Sequence, residues 1–238
     1  MLSSNYKNLN RDVTGGRALN QNRNAHDFRL NIKKVAILAS FAALAYLSVL
    51  VIRIPITSFL DYEVKDVFIT MGGFLFGPLS AFWLSLTVSL IQMCTISGTG
   101  LIGFIMNFFA TFTFSFTAST IYQRQPNHKG AAIGLLLGSL TASCWMIVAN
   151  ALITPLFLGI PMQEVWNMLL PLILPFNIVK NLCNAVLSFV LFKPAFTALT
   201  SANLLDRQKH KGQKGALVIA IIFCLIGLIG AILFLFCF

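Results

Sequence analysis

Charge is what this chain has least of. Only 10% of its 238 residues are Asp, Glu, Lys or Arg, against about 25% in a soluble domain. Acidic side chains are scarcer still, and the three histidines (His26, His128, His210) all fall outside the apolar runs. That leaves no base for an intramembrane nucleophile, and Ser97-Gly-Thr-Gly does not form a nucleophile elbow. A His-Glu-x-x-His pair and a Gly-rich loop closing on Lys-Ser/Thr are both missing, which excludes the common zinc-peptidase and nucleotide-binding motifs. The cysteines Cys94, Cys144, Cys183, Cys224 and Cys237 are odd in number and lack metal-ligand spacing. They imply no disulfide framework and read as small buried hydrophobes. The first 33 residues hold no apolar core of the length a secretory signal needs.

What is there is apolar: 57% of the residues are hydrophobic, and the chain reads as an integral membrane protein. About 20 apolar residues cross a bilayer. Spans are expected at roughly 34–54, 65–76, 78–96, 101–122, 130–153, 169–192 and 215–236. The second and third are divided only by the tight turn signal Phe76-Gly-Pro78. Residues 1–33 form a basic cytoplasmic tail, 34–194 a six-helix membrane domain, 195–214 a basic cytoplasmic linker and 215–238 a further span. Lysines and arginines cluster on one side of this arrangement: Lys7 to Lys34, then Arg124 and Lys129, then Lys193 to Lys214. That side is the cytoplasm by the positive-inside rule. The N-terminus is therefore expected inside the cell membrane and the C-terminus outside. The tail's charge suits lipid headgroups and topology better than nucleic acid, because no nucleic-acid-binding fold accompanies it.

One cation departs from this pattern. Lys180 lies within an apolar stretch, where an ammonium costs roughly 2.5–3.5 kcal/mol on insertion scales. Asn177, Lys180, Asn181, Asn184 and Ser188 share one helical face by their spacing. Lys180 stands thirteen residues before Lys193, roughly 20 Å along a helix at about 1.5 Å per residue. This puts it in the outer half of the membrane. Asn150, Asn107 and Gln92 reach a similar level, beside the acidic loop Phe59-Leu-Asp-Tyr-Glu-Val-Lys-Asp66. For Gln92 alone the competing reading is a simple interhelical hydrogen bond, typically about 0.6 kcal/mol. Lys180 itself could snorkel toward headgroups. Convergence from several spans favours an outward-opening binding pocket. Pro171 and Pro175 place a helix restart near Pro175, just outside Lys180.

Small residues mark two other surfaces. Gly130, Gly134, Gly138 and Ala142 recur every four residues, the spacing of close helix packing in lipid, and are expected to pack within the chain. Ala36, Ala39, Ala42 and Ala43 make the first helix smooth. The last span carries almost nothing polar and reads as an anchor.

Four segments carry a family resemblance: Phe59-Leu-Asp-Tyr…Lys65-Asp-Val, Gly72-Gly-Phe-Leu-Phe-Gly-Pro78, Ala149-Asn-Ala-Leu-Ile-Thr-Pro155 and Pro175-Phe-Asn-Ile-Val-Lys180 with Asn184-Ala. Over about 34–194 they resemble the S component, the substrate-binding subunit, of energy-coupling factor (ECF) vitamin transporters, nearest the riboflavin-binding RibU group. The resemblance implies an all-α fold of six membrane helices, here with a seventh C-terminal helix added. It implies a vitamin held near the outer face under the loop after the first helix. Partners would be a transmembrane coupling subunit and two cytoplasmic ATPases, with Ala39 and Ala43 as the docking pair on the first helix. It assigns Asn150, Asn177 and Lys180 to the vitamin. Asn107, Asp61, Tyr62, Asn181, Asn184 and Gln92 complete the expected binding set. No cofactor or metal is expected, and riboflavin would be the transported ligand. Pantothenate is the rival vitamin, since its carboxylate suits Lys180. From other classes, an intramembrane enzyme lacks a nucleophile–base pair, and a scaffold would not need a buried cation beside a row of amides.

Overall fold

The computed structural model describes residues 31–57, 60–96, 98–202 and 204. Most of the expected basic tail, most of the expected linker and the whole seventh span lie outside them. The chain divides into two units, Met1–Ala39 and Ser40–Phe238. The described part of the first unit is the opening of helix α1, Asn31–Val51. The packing and the site below belong to the second unit.

There α1 ends in a short antiparallel hairpin, β1 (Arg53–Pro55) paired with β2 (Asp61–Glu63), in the register Arg53 with Glu63 and Pro55 with Asp61. The helices that follow are α2 (Lys65–Phe76), α3 (Pro78–Thr95), α4 (Gly100–Arg124), α5 (His128–Leu158) and α6 (Met162–Met168). A π-helical turn, Leu169–Ile173, leads from α6 into α7, Leu174–Ser201. The chain is an all-α membrane bundle apart from the hairpin. Gly77 makes the expected turn between α2 and α3 at φ 97°, in the left-handed region that glycine favours, and Pro78 opens α3 where its missing N–H costs nothing.

Two details refine the sequence reading. The α-helix restarts near Pro175 as expected, at Leu174 with Pro175 in its first turn, but without a gap: the π turn, which holds Pro171, keeps Met162–Ser201 one continuous helical path. A π turn shifts the hydrogen-bond register by one residue, which accommodates a residue with no N–H to give. Further on, α7 passes Pro194 and reaches Ser201, so the start of the expected linker is helical.

The outside of the bundle is apolar, and its inside mixes apolar and polar side chains. On α7, Val179, Val186 and Val190 are exposed while Asn177, Lys180, Asn181, Asn184 and Ser188 are buried. Lipid solvates the valines, and the polar row must find partners within the protein. Helices α4 and α5 approach closely where the glycine row meets α4. A Cβ at Gly134 would stand 2.7 Å from the Ala118 carbonyl oxygen, and one at Gly138 2.7 Å from that of Phe114. This close backbone approach is what small residues allow between membrane helices. Gly138→Ala is therefore expected to cost about 1–3 kcal/mol, a fall in Tm of roughly 2–12 °C by thermal unfolding in detergent. Gly98→Ala, where nothing lies within 4 Å of the added carbon, should leave Tm unchanged. Equal stability of the two variants would contradict this packing. Away from the hairpin, Phe74 stacks on Tyr122 at 4.5 Å and meets Phe192 edge-on at 5.0 Å, closing the core with Phe114 and Leu135.

Candidate functional site

A cavity of about 290 Å³ lies at the end of the bundle where α3 and α5 finish and α4 and α7 begin. That volume is near the lower end of the range for small-molecule sites, about 300–1,000 Å³. Each helix contributes one face. From α4 come Ile102, Gly103, Met106, Asn107 and Ala110; from α5 Met146, Asn150, Ile153, Thr154 and Phe157; from α7 Phe176, Asn177 and Lys180. Gln92 of α3 and the hairpin residues Arg53, Leu60, Asp61 and Glu63 complete the wall. The structure thus brings together six of the residues expected at the site: Asp61, Gln92, Asn107, Asn150, Asn177 and Lys180. Tyr62, Asn181 and Asn184 do not line it.

Hydrogen-bond capacity separates these amides by role. Asn177 donates one N–H to the Ile173 carbonyl at 2.8 Å. Its oxygen and second N–H have no partner among the described residues. Asn150 donates to the Met146 carbonyl at 2.7 Å and accepts from Thr154 Oγ1 at 3.2 Å. In both, the i−4 bond fixes the rotamer and leaves at least one N–H for a ligand. Asn181 instead ties α7 to α5, donating to Ser143 Oγ at 3.0 Å.

Lys180 is 8% exposed, and its ammonium donates to the backbone carbonyl of Asp61 at 3.3 Å. The other charges of the wall are already matched. Arg53 clamps the Asp61 carboxylate through Nε at 2.9 Å and reaches the Ile96 carbonyl at 3.4 Å. Lys65 Nζ meets Glu63 Oε2 at 2.6 Å and donates to Gln92 Oε1 at 2.6 Å. Gln92 Nε2 returns a bond to Glu63 Oε1 at 2.5 Å. Gln92 therefore does both things weighed for it: it faces the cavity and it closes a buried triangle. Burial alone would raise the Glu63 carboxyl, but the Lys65 and Lys180 charges, with bonds from Lys65 and Gln92, hold it below its usual value. The Tyr62 phenol is pushed above its usual value by burial, then by Cys183 and Asp66, so it remains a donor at neutral pH.

Several contributors were not singled out from sequence. Arg53 was outside the expected binding set, and Glu63 and Lys65 read there only as part of the acidic loop. The apolar lining of Met106, Met146, Phe157 and Phe176 was not read at all. The signal was present in the spacing: Ile102, Met106 and Ala110, like Met146, Asn150, Ile153 and Phe157, each follow one helical face.

A membrane bundle with a polar-and-apolar cavity at the mouth of its helices has the architecture of a subunit that can hold a small molecule. The family model of the ECF transporter substrate-specific component matches residues 33–196, and the chain belongs to that family. Its fold is similar to that in a solved structure of the S component of a bacterial ECF transporter. The TM-score is 0.61 at 22% identity, covering 71% of this chain and 98% of the other. The chain has no match among curated proteins. As an S component it is the substrate-binding subunit of a transporter and not an enzyme, and it works with an ECF module and a small-molecule substrate.

Proposed function

We propose that this S component serves an ATP-driven vitamin importer and that its vitamin is riboflavin. The observation that carries the reading is the cavity's composition. Unsatisfied amide groups of Asn150 and Asn177, with Asn107, stand among Met106, Met146, Phe157 and Phe176. An isoalloxazine ring offers a flat apolar body with carbonyl and nitrogen atoms along one edge, which amides and an ammonium recognise while sulfur and aromatic groups cover the faces. Arg124 and Lys129 sit at the end of α4 and the start of α5, away from the cavity, and Lys193 lies in the part of α7 remote from it. By charge this end is cytoplasmic, so the cavity opens outside and the N-terminus lies inside.

One observation favours pantothenate as the second reading. Arg53 is matched by Asp61 and Lys65 by Glu63, which leaves Lys180 with only a backbone carbonyl. A carboxylate would suit that charge. Calorimetric titration of the purified chain separates the two vitamins. Stoichiometric riboflavin binding that excess pantothenate does not displace supports the first reading; the reverse preference overturns it.

Transport further requires docking on a module of two ATPases and a coupling subunit. Ala39 and Ala43 are exposed and four residues apart on α1, a smooth strip against which a partner helix can approach closely. Ala39→Leu with Ala43→Leu is expected to leave vitamin binding unchanged and to abolish uptake in cells carrying the full transporter. Normal uptake by that variant would remove the strip from the interface.

A further inference from the structure

We propose that Asn184 is a positioning residue that fastens β2 to α7 and thereby sets how fast the cavity's hairpin wall opens. The geometry that carries this is the commitment of its side chain to the hairpin and the start of α2. Its amide nitrogen donates to the Glu63 carbonyl at 3.1 Å and to Asp66 Oδ2 at 3.0 Å. Its oxygen accepts from the Tyr62 hydroxyl at 3.4 Å. Both donors and one of the two acceptor lone pairs are thereby spent on these contacts, so no N–H is left to read a ligand. Asn184 is fully buried and does not line the cavity.

The placement of these bonds explains what they do. Lys180, one turn earlier on α7, holds the Asp61 carbonyl, so α7 grips β2 at Asp61, Tyr62 and Glu63 in succession. The Lys180 contact is long, and Lys180 also faces the cavity, so a ligand that engages the ammonium competes for it. Asn184 does not line the cavity, so a ligand there does not compete directly for its contacts. Asp66 is itself held by Thr111 Oγ1 at 2.7 Å, which anchors the fastening to α4. β2 supplies Asp61 and Glu63 to the cavity wall. A strand freed from Asn184 leaves that wall pinned by Lys180, by the Lys65–Gln92 contacts of Glu63 and by the half-exposed Arg53–Asp61 pair.

This rests on the cavity being the substrate site, and the test keeps the two claims separable. Backbone hydrogen exchange is read by mass spectrometry on the ligand-free chain in lipid nanodiscs. Asn184→Ala is expected to speed exchange at residues 61–64 by about tenfold, the scale of one lost buried hydrogen bond to a charged group, with α4 and α5 unchanged. Asn177→Ala, which alters only the cavity, should leave the hairpin's exchange as it was. Tyr62→Phe, which removes a single hydroxyl, should produce a smaller rise in the same residues and serves where Asn184→Ala does not fold. With vitamin bound, Asn184→Ala should raise the dissociation rate about tenfold while association changes little. Unaltered hairpin exchange in the folded variants, or a rise spread evenly over the bundle, overturns the assignment. Faster exchange with an unchanged dissociation rate overturns the link to opening. Because the exchange is read without ligand, a wrong vitamin leaves that outcome intact.

Discussion

Lys180→Ala is expected to weaken vitamin binding by about 10–100-fold without unfolding the chain, measured by titration in detergent or nanodiscs. The size follows from a charged hydrogen bond, about 1.5–3 kcal/mol, converted at 1.4 kcal/mol per tenfold. Folding should survive because the ammonium's one hydrogen bond among the described residues is a 3.3 Å bond to a backbone carbonyl, and its removal leaves Glu63 still paired with Lys65. Lys180→Arg should rescue only part of the loss, since a planar fork cannot occupy the position of a compact ammonium. The protein bears the cost of holding this cation near the membrane's interior for little internal return. On the proposed reading the return comes from the ligand. If Lys180→Ala bound the vitamin with unchanged affinity, the cation would be a packing feature, and the account of the cavity would lose its strongest donor.

Lys65→Met is expected to produce the largest loss of stability. Lys65 and Glu63 are 1% and 2% exposed, and removing the ammonium leaves a buried carboxylate held by Gln92 and the more distant Lys180 charge. Breaking one partner of such a pair costs about 3–5 kcal/mol, whereas replacing both with neutral groups is often close to harmless. The double variant Lys65→Met with Glu63→Gln should therefore recover most of the lost Tm. Equal destabilisation by the single and double variants would show that Lys65 acts through packing and not through charge. The same pair sets a pH response. Glu63 titrates below its usual 4.5, so its contribution is complete above that pH and is lost as pH falls through the lower folded value. Stability and ligand retention should be flat from about pH 7 to pH 5 with respect to this group and drop only on stronger acidification.

Much of the bundle was legible because the apolar runs are long and the interruptions are sharp. Gly77-Pro78 stands where the sequence marks it, whereas α5 begins two residues before the expected 130, with Asn127 capping it by accepting from the Gly130 N–H at 2.7 Å. The hairpin was not legible, since three-residue strands are too short to show alternation. The π turn was hidden because two prolines normally signal a break, and the register shift that absorbs Pro171 leaves no separate mark in the sequence.

The polar stripe of α7 shows what periodicity can and cannot supply. Spacing correctly put Asn177, Lys180, Asn181, Asn184 and Ser188 on the buried face, because direction around a helix follows from residue number. Depth along that face does not. The cavity ends at Lys180, Asn181 turns to α5 through Ser143, and Asn184 turns to the hairpin. Glu63 and Lys65 read as loop charges because nothing local in the sequence announces that Gln92, on another helix, encloses them.

The most direct test of the central claim is the absorption spectrum of the chain expressed without its module and purified in mild detergent. The account predicts a yellow protein carrying a flavin band at close to one chromophore per chain, with the band lost in Asn177→Ala and Lys180→Ala. A colourless protein that takes up no added riboflavin and binds pantothenate stoichiometrically would contradict the flavin assignment.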